Sequence, residues 1–219
     1  MSGREYGPTD ADLQWCHEAV QGVSRTFALT VEVLEEPMAS HICLGYLLCR
    51  VADTVEDAGH IPPGTQRSLL ETYRDAVDPD EQTDIAAFRS AVDEWLPAPS
   101  ERTDDWVVVA ESPTIVATFE QFAPEVRSAI VPPVVEMVDG MAMFVDRHAH
   151  CGGLRIDDRD ELEQYCYYAA GTVGTLITNL LTRGDVADER VSRLRDTAEE
   201  FGLLLQLVNV SKDVYDDYT

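Results

Sequence analysis

An apolar segment in the first quarter of the chain runs directly into a cluster of charged side chains. Residues 43–57 read CLGYLLCRVADTVED, and no turn residue follows before Gly59. At helical spacing, four polar side chains of this region share one face: Tyr46, Arg50, Asp53 and Asp57. A polar stripe flanked by leucine, valine and cysteine costs free energy unless partners satisfy it. The pattern therefore predicts a core helix whose carboxylate end has a partner.

The carboxylate pattern occurs a second time near the end of the sequence. DTVED at 53–57 and DVYDD at 213–217 share the form Asp-x-x-acid-Asp. The second stripe also extends backward: Gln206, Asn209, Asp213 and Asp217. Carboxylates one turn apart repel each other, whereas Mg²⁺ binds such pairs together with substrate phosphates. Two facing pairs would hold a diphosphate through bridging metals, with Arg50 within reach of its oxygens.

A solvated acidic helix face is the alternative explanation of each motif. The chain contains 41 acidic residues, so an aspartate pair at helical spacing is common in it. The two copies favour a functional interpretation, because both end an apolar run and both continue a polar stripe. Glu56 and Asp216 stay open between a role in the metal shell and simple exposure to solvent.

Helical periodicity covers nearly the whole sequence. No alternating strand pattern of useful length and no dinucleotide-binding glycine fingerprint is present. We expect helices over about 9–34 with a break near Gly22, 37–57, 65–77, 83–96, 104–122, 124–149 with an interruption or kink at Pro132-Pro133, 158 or 160 to 181, and 188 onward. The predicted fold class is all-α, a bundle of one domain over residues 1–219 around a central space.

The charge balance excludes some partners and indicates a salt-rich environment. The formal net charge is −25, which disfavours binding to nucleic acid or to an anionic membrane surface. The hydrophobic share of 45% and its periodicity argue for a packed fold rather than disorder. Lys212 is the only lysine among 16 basic residues. A folded chain that is this acidic and this poor in lysine suggests a halophilic source. In a salt-rich cytoplasm, counterions screen the repulsion between the carboxylates.

The cysteines and the termini indicate a cytoplasmic protein. Five cysteines, three of them inside apolar helical runs, are typical of reduced core residues rather than of a disulfide framework. The N-terminus has no apolar core, so we expect no secretory signal. The uncharged run 165–182 approaches the length of a membrane span, but its threonines, glycines and asparagine favour a buried central helix. We therefore expect no transmembrane segment.

Five stretches of the sequence resemble the head-to-head prenyl synthases, the family of squalene, phytoene and dehydrosqualene synthases. They occur in the family's order and span most of the chain: SRTFALTVEVL (24–34), YLLCRVADTVED (46–57), MAMFVDRH (141–148), YCYYAAGTVGTLITNLL (165–181) and LLLQLVNVSKDVYDD (203–217). The resemblance implies an isoprenoid-synthase-type bundle with a central cavity. The motifs DTVED, SRTF and MAMF look more like squalene synthase than phytoene synthase.

The resemblance also implies a role for individual residues. Two motifs would bind metal: Asp53 with Asp57, and Asp213 with Asp217. Four side chains would contact the substrate's diphosphate or lie beside it: Arg25, Arg50, Asn209 and Lys212, the last standing where the family usually has arginine. Tyr165 matches the tyrosine assigned to proton transfer and cation stabilisation, Tyr46 matches a second active-site tyrosine, and Phe27 matches an aromatic residue near the prenyl chain. Tyr167 and Tyr168 are interpreted as core aromatics.

The implied reaction condenses two molecules of farnesyl diphosphate through presqualene diphosphate. Mg²⁺ would assist loss of the diphosphate, and NADPH would be needed if the product is squalene. The alternatives are a phytoene or dehydrosqualene synthase without NADPH, or a truncated, non-catalytic relative that binds prenyl diphosphate. Peripheral membrane contact for product release is a further expectation. Small residues in 165–181 would leave room for the prenyl chain, or would only permit close helix packing.

The chain stops two residues after the second acidic motif, whereas members of the family continue with several more helices. We therefore expect either a fragment of a longer protein or a shortened relative with reduced or no activity. In both cases the last helix would lack its cover, which predicts exposed apolar surface or self-association.

Overall fold

In the computed structural model, the chain folds into a bundle of α-helices. The structure describes residues 10–151, 154–184, 189–194, 197, 198, 202, 204 and 207. Its helices are α1 (Asp10–Val23), α2 (Arg25–Glu32), α3 (Met38–Glu56), α4 (Pro63–Val77), α5 (Ile85–Val92), α6 (Asp104–Ala110), α7 (Ser112–Glu120), α8 (Pro124–His148), α9 (Arg159–Cys166) and α10 (Thr172–Leu181), with a 3₁₀ turn at Asp93–Trp95 and a π-helical segment at Tyr167–Gly171. No strand occurs within these described residues. The all-α class is confirmed, while the single-domain boundary and the central cavity stay predictions.

Helix α3 forms the centre of the core. It contacts α1, α2, α4, α6, α7, α8 and α10. Most of its residues are buried, and the half-buried ones are Met38, Tyr46, Arg50, Asp53 and Glu56. Tyr73 of α4 is fully buried and donates its hydroxyl proton to the carbonyl oxygen of Leu48, at 2.9 Å. The predicted core helix with a polar end is therefore present.

The breaks between helices follow local capping chemistry rather than glycine. The predicted break near Gly22 lies at Ser24, because the Ser24 hydroxyl accepts the N–H of Phe27 at 3.3 Å and starts α2. The predicted helix 104–122 is two helices, α6 and α7, since Pro113 in the first turn of α7 cannot donate a hydrogen bond. The predicted helix 83–96 ends at Val92 and continues as a 3₁₀ turn.

Pro132 and Pro133 lie inside one 25-residue helix, so the alternative of an interruption was wrong. A proline cannot donate to the carbonyl oxygen four residues earlier, which for Pro133 belongs to Ala129. The Asn179 side chain of α10 supplies that donor, with Nδ2 3.3 Å from the Ala129 oxygen. Because a neighbouring helix satisfies the freed carbonyl, α8 continues through the proline pair.

The predicted helix from 158 or 160 to 181 begins as expected but contains a π-helical segment. Asp158 caps α9 by accepting the N–H of Glu161 at 2.9 Å. The π turns at Tyr167–Gly171 then widen the helix. Tyr168 lies half-buried against α8 at Gly140, and Tyr167 donates to Glu136 at 2.9 Å. Both tyrosines are thus half-buried contacts on α8 rather than fully buried core residues.

The cysteines and exposed apolar residues agree with the sequence patterns. All five cysteines are free, and four of them are buried. Burial raises the pKa of the Cys16 and Cys49 thiols to about 12. Exposed large apolar side chains include Leu29, Val33 and Leu204.

By length and composition alone, α8 could cross a membrane. However, 56% of its most apolar window is buried inside the fold, and a core helix passes the same test. This helix is therefore weak evidence for a membrane span.

Candidate active site

Gln66 of α4 fixes the end of α3 where the carboxylates lie. Its Nε2 atom lies 3.0 Å from the carbonyl oxygen of Val55, 2.7 Å from that of Glu56 and 3.2 Å from that of Ala58. The last turn of a helix leaves its carbonyl groups without partners, so this buried amide stabilises the helix end. The sequence does not mark Gln66 as part of the site, because a single glutamine in a largely polar helix carries no signal for such a contact.

Arg50 lies between two carboxylates on different helices. Its Nη1 forms a short ion pair with Asp53 one turn further along α3, and its Nε donates to Oδ1 of Asp105 in α6 at 2.8 Å. Burial would lower the pKa of the guanidinium, but the two carboxylates outweigh it and raise the pKa above its ordinary value. Arg50 therefore stays charged at the position that the polar stripe predicts.

The first aspartate of the motif lies in a protein-lined environment. Burial raises the pKa of Asp53 to about 6; Arg50 opposes this rise, and the nearby Asp57 and Asp105 carboxylates add to it. Asp57 itself is exposed at the end of α3. The two aspartates predicted as a metal-binding pair thus lie on one side of the helix end, with like charge concentrated between them.

Glu56 joins this cluster to Tyr165. The Tyr165 hydroxyl lies 3.5 Å from Oε2 of Glu56, although the two residues are 109 positions apart. Burial and the carboxylates of Asp57 and Asp53 raise the pKa of Glu56 well above its ordinary value. Burial and Glu56 likewise raise the pKa of the Tyr165 hydroxyl. Glu56 therefore faces the site, where the sequence left its orientation open.

Aromatic rings enclose the site on two sides. The Phe27 and Tyr46 rings stack at 4.0 Å and 19°, so α2 brings its predicted aromatic residue onto the polar stripe of α3. Phe144 of α8 meets the Tyr165 ring edge-on, at 5.4 Å and 71°. Burial raises the pKa of the Tyr46 hydroxyl. These rings make an apolar wall beside the charged end of α3.

Some predicted site residues are brought together and others are not described. Contacts link Phe27 to Tyr46, Arg50 to Asp53, and Tyr165 to Glu56, whereas Arg25 lies exposed at the start of α2. The predicted residues of the second motif lie outside the described residues: Asn209, Lys212, Asp213 and Asp217. The facing of the two acidic motifs therefore stays a prediction.

The donor set at the end of α3 fits a hard divalent cation. Within the described ranges, no group of three or more His, Cys, Asp or Glu side chains is arranged to hold a metal ion. The motif instead supplies carboxylate oxygens, and burial, opposed by Arg50 and aided by the carboxylates of Asp57 and Asp105, raises the pKa of Asp53. Mg²⁺ usually binds one or two carboxylates, waters and substrate phosphates, so an incomplete set of protein ligands suits it.

The small residues of the π-helical region permit close packing. A Cβ atom on Gly174 would lie 2.8 Å from the carbonyl oxygen of Ala198, and one on Gly202 would lie 2.9 Å from that of Ala170. The described parts of the final segment therefore approach the π segment and α10 backbone to backbone. Of the two interpretations of the small residues in 165–181, close helix packing is the one that the contact at Gly174 supports.

Comparisons with known proteins agree with this architecture. Residues 20–219 match the sequence profile of the squalene/phytoene synthase family. Squalene synthase from Homo sapiens is 27% identical over 207 residues, covering 94% of this chain and 45% of that protein. Squalene synthase from Eremothecium gossypii is 30% identical over 211 residues, covering 94% of this chain and 44% of that protein. The chain thus spans less than half the length of these relatives.

Solved structures resemble the fold over nearly the whole chain. A complex of TcSQS with the ligand BPH1237 superimposes with a TM-score of 0.75 at 25% identity, covering 95% of this chain and 55% of that one. A dehydrosqualene synthase with a bound ligand superimposes with a TM-score of 0.57 at 22% identity, a likeness of fold alone. Because the family profile matches residues 20–219, the chain belongs to the squalene/phytoene synthase family.

Proposed function

We propose that this chain forms the diphosphate-binding and ionisation part of a squalene synthase-like farnesyltransferase. The enzyme would condense two farnesyl diphosphates head-to-head through presqualene diphosphate. The observation that carries the proposal is the contact of Tyr165 with Glu56, beside Arg50 and Asp53 at the end of the core helix. A tyrosine hydroxyl, a guanidinium and the acidic motif come together there, beside aromatic rings.

Arg50, Asp53 and Asp57 each have a proposed task that agrees with their position at the end of α3. Arg50 stays charged and would donate to diphosphate oxygens through its outer nitrogens. Asp53 and Asp57 would hold Mg²⁺, which when bound neutralises the diphosphate so that the allylic C–O bond can break. Arg25, Asn209 and Lys212 are further proposed contacts to the diphosphate.

Tyr165 would act on the proton lost when the cyclopropane ring of the intermediate closes. Its raised pKa keeps the hydroxyl protonated, so it would relay the proton to the Glu56 carboxylate rather than react as a phenolate. The Phe27, Tyr46 and Phe144 rings would shield a carbocation from water and stabilise it through their faces. NADPH would supply hydride if squalene is the product.

Product analysis tests the proposal. The full chain is incubated with farnesyl diphosphate and Mg²⁺, with and without NADPH. Squalene that forms only with NADPH supports the proposal, and product without NADPH supports the phytoene or dehydrosqualene type. Metal-dependent binding without turnover indicates a non-catalytic relative, and no binding contradicts a prenyl diphosphate site altogether.

Substitution of the first aspartate sharpens this test. Asp53→Asn should lower turnover by about a hundredfold or more, because it removes a charged oxygen needed to stabilise developing charge. The melting temperature should stay within about 3 °C of wild type, since the amide is isosteric with the carboxylate. Asp80→Asn, at an exposed position, is the matched control and should retain full turnover. Retained activity in Asp53→Asn would contradict a metal-binding role.

A further inference from the structure

Arg50 has two carboxylate partners, and only one of them belongs to the acidic motif. Asp53 is on the same helix and pairs with Nη1, whereas Asp105 is on α6 and accepts from Nε at 2.8 Å. The exposed fractions of the three side chains are 28% for Arg50, 23% for Asp53 and 33% for Asp105. All three are half-buried, so the ion pairs are less screened than those on an open surface.

The two partners hold different edges of the guanidinium. A guanidinium carries five N–H groups, one on Nε and four on the two outer nitrogens. Asp105 takes the Nε–H, which leaves the N–H groups of the outer nitrogens for Asp53 and for the oxygens of a diphosphate. Asp53 accepts from an outer nitrogen. When a cation binds the motif, the Asp53 oxygens would coordinate that cation and leave Arg50. Asp105 alone can then hold the side chain in place.

Helix α6 keeps Asp105 at a fixed place. The Thr103 hydroxyl accepts the N–H of Trp106 at 3.5 Å and caps the helix start. The Trp106 ring meets the ring of His60, just beyond the acidic motif, at 5.4 Å and 63°. The side chains of Val108 and Val109 are buried in the core. Asp105 therefore stands on an element anchored on both sides of the Arg50 contact.

We propose that Asp105 is a positioning residue for Arg50, which holds the guanidinium so that its outer nitrogens face the substrate's diphosphate. This inference rests on the proposed function, because it assigns Asp105 to the binding of that diphosphate. Asp105 itself touches neither the substrate nor the metal. Its carboxylate keeps Arg50 extended from α3 toward α6 while Asp53 serves the cation.

Two other roles for Asp105 make different predictions. A purely structural tie between α3 and α6 would affect stability without affecting diphosphate affinity. A direct metal ligand would affect affinity whether or not Arg50 is present. A positioning residue affects affinity only through Arg50, so its effect disappears once the guanidinium has been removed.

Calorimetry with inorganic pyrophosphate and Mg²⁺ on the full chain separates these roles. Asp105→Asn should weaken pyrophosphate binding about tenfold, as losses of supporting partners commonly do. In an Arg50→Gln background, the same substitution should cause no further loss. Asp104→Asn, the neighbouring exposed position, is the control and should bind as wild type. Asp105→Glu should restore part of the affinity, and kcat/KM for farnesyl diphosphate should follow the same order.

A second measurement needs no ligand and no turnover. The Arg50 Nε–H should exchange slowly with solvent in the wild-type protein, because Asp105 accepts it, and the exchange should accelerate in Asp105→Asn. NMR of the arginine side chains measures this rate, and Asp104→Asn should leave it unchanged.

Several outcomes would overturn the proposal. If Asp105→Asn binds pyrophosphate with wild-type affinity, the contact with Arg50 has only a structural role. This conclusion would hold even if the protein makes squalene. An equal further loss of affinity in the Arg50→Gln background would make Asp105 an independent ligand. Wild-type protein that binds no pyrophosphate would overturn this inference and the proposed function together. Failure to form product despite normal, Asp105-dependent binding would contradict the proposed function alone.

Discussion

At the scale of single residues, the end of α3 combines groups that destabilise one another unless a partner is present. Asp53 and Glu56 both have raised pKa values because burial and neighbouring carboxylates disfavour their charged forms. The Arg50 guanidinium offsets part of the repulsion between these carboxylates. Gln66 donates to the backbone carbonyl groups at the end of the helix that carries them. Retaining such a half-buried cluster at the end of an otherwise apolar core helix is typical of a binding site.

Gln66→Glu should lower the free energy of unfolding by about 1–3 kcal/mol, since it replaces a buried donor by an acceptor facing three carbonyl oxygens. Chemical denaturation measures the change. Gln82→Glu makes the same substitution at an exposed position and is the control. Equal stability of the two variants would contradict the capping role of Gln66.

His41 should make the fold less stable in mild acid. Its Nδ1 accepts from Arg183 at 3.1 Å, its ring meets Phe122, and burial followed by Arg183 lowers its pKa below the ordinary value of 6.5, with Glu36 opposing. The unfolded chain therefore takes up a proton near pH 6.5, whereas the folded chain does so only at lower pH. Stability from this residue is present above pH 6.5 and is lost as the pH falls toward the folded pKa.

Denaturation at pH values from 5 to 8 measures this dependence. His41→Asn keeps an acceptor for Arg183 but cannot titrate, so its stability should fall less than that of wild type as the pH decreases. His150→Asn, at an exposed position, should follow the wild-type curve. Parallel curves for wild type and His41→Asn would rule out the effect.

At the scale of elements, the contact between α8 and the π-helical segment depends on a missing side chain. A Cβ atom at Gly140 would lie 2.2 Å from Cγ of Tyr168, inside the ring's contact distance. The π turns place this ring against α8, and the sequence contains no periodic signal for them. A glycine inside a helix lowers the stability of that helix. Gly140 is explained by packing, because only a residue without a side chain leaves room for the Tyr168 ring.

Gly140→Ala should destabilise the protein by about 1–3 kcal/mol, because the added methyl group overpacks the contact. Thermal denaturation measures the change. Gly64→Ala, where a Cβ atom meets nothing within 4 Å, should leave stability unchanged or raise it. In a Tyr168→Ala background the Gly140→Ala substitution should cease to destabilise; a persistent loss there would show that the ring is not the obstacle.

At the scale of the whole molecule, the net charge of −25 makes self-repulsion a general opponent of folding. The melting temperature should rise as KCl increases from about 0.1 M to 1 M, because the screening length falls from about 10 Å to 3 Å. A series with sucrose instead of salt separates screening from solvent exclusion. Full stability without added salt would count against a halophilic origin.

The sequence by itself determined most of the helical structure found in the described residues, and it singled out the residues of the candidate site. Local periodicity and capping residues place the core helix, its polar stripe and the aspartates, because these signals repeat within a few residues. The stacking of Phe27 on Tyr46 likewise joins two motifs that the sequence had singled out.

Only the tertiary structure decided which distant groups serve that site. Asp105 meets Arg50 across 55 positions, and Glu56 meets Tyr165 across 109. In so acidic a chain, nothing local distinguishes Asp105 from its neighbour Asp104, and only the packing of α6 against α3 selects it. Contacts of this kind depend on how helices pack, a property that the spacing of residues along one helix does not contain.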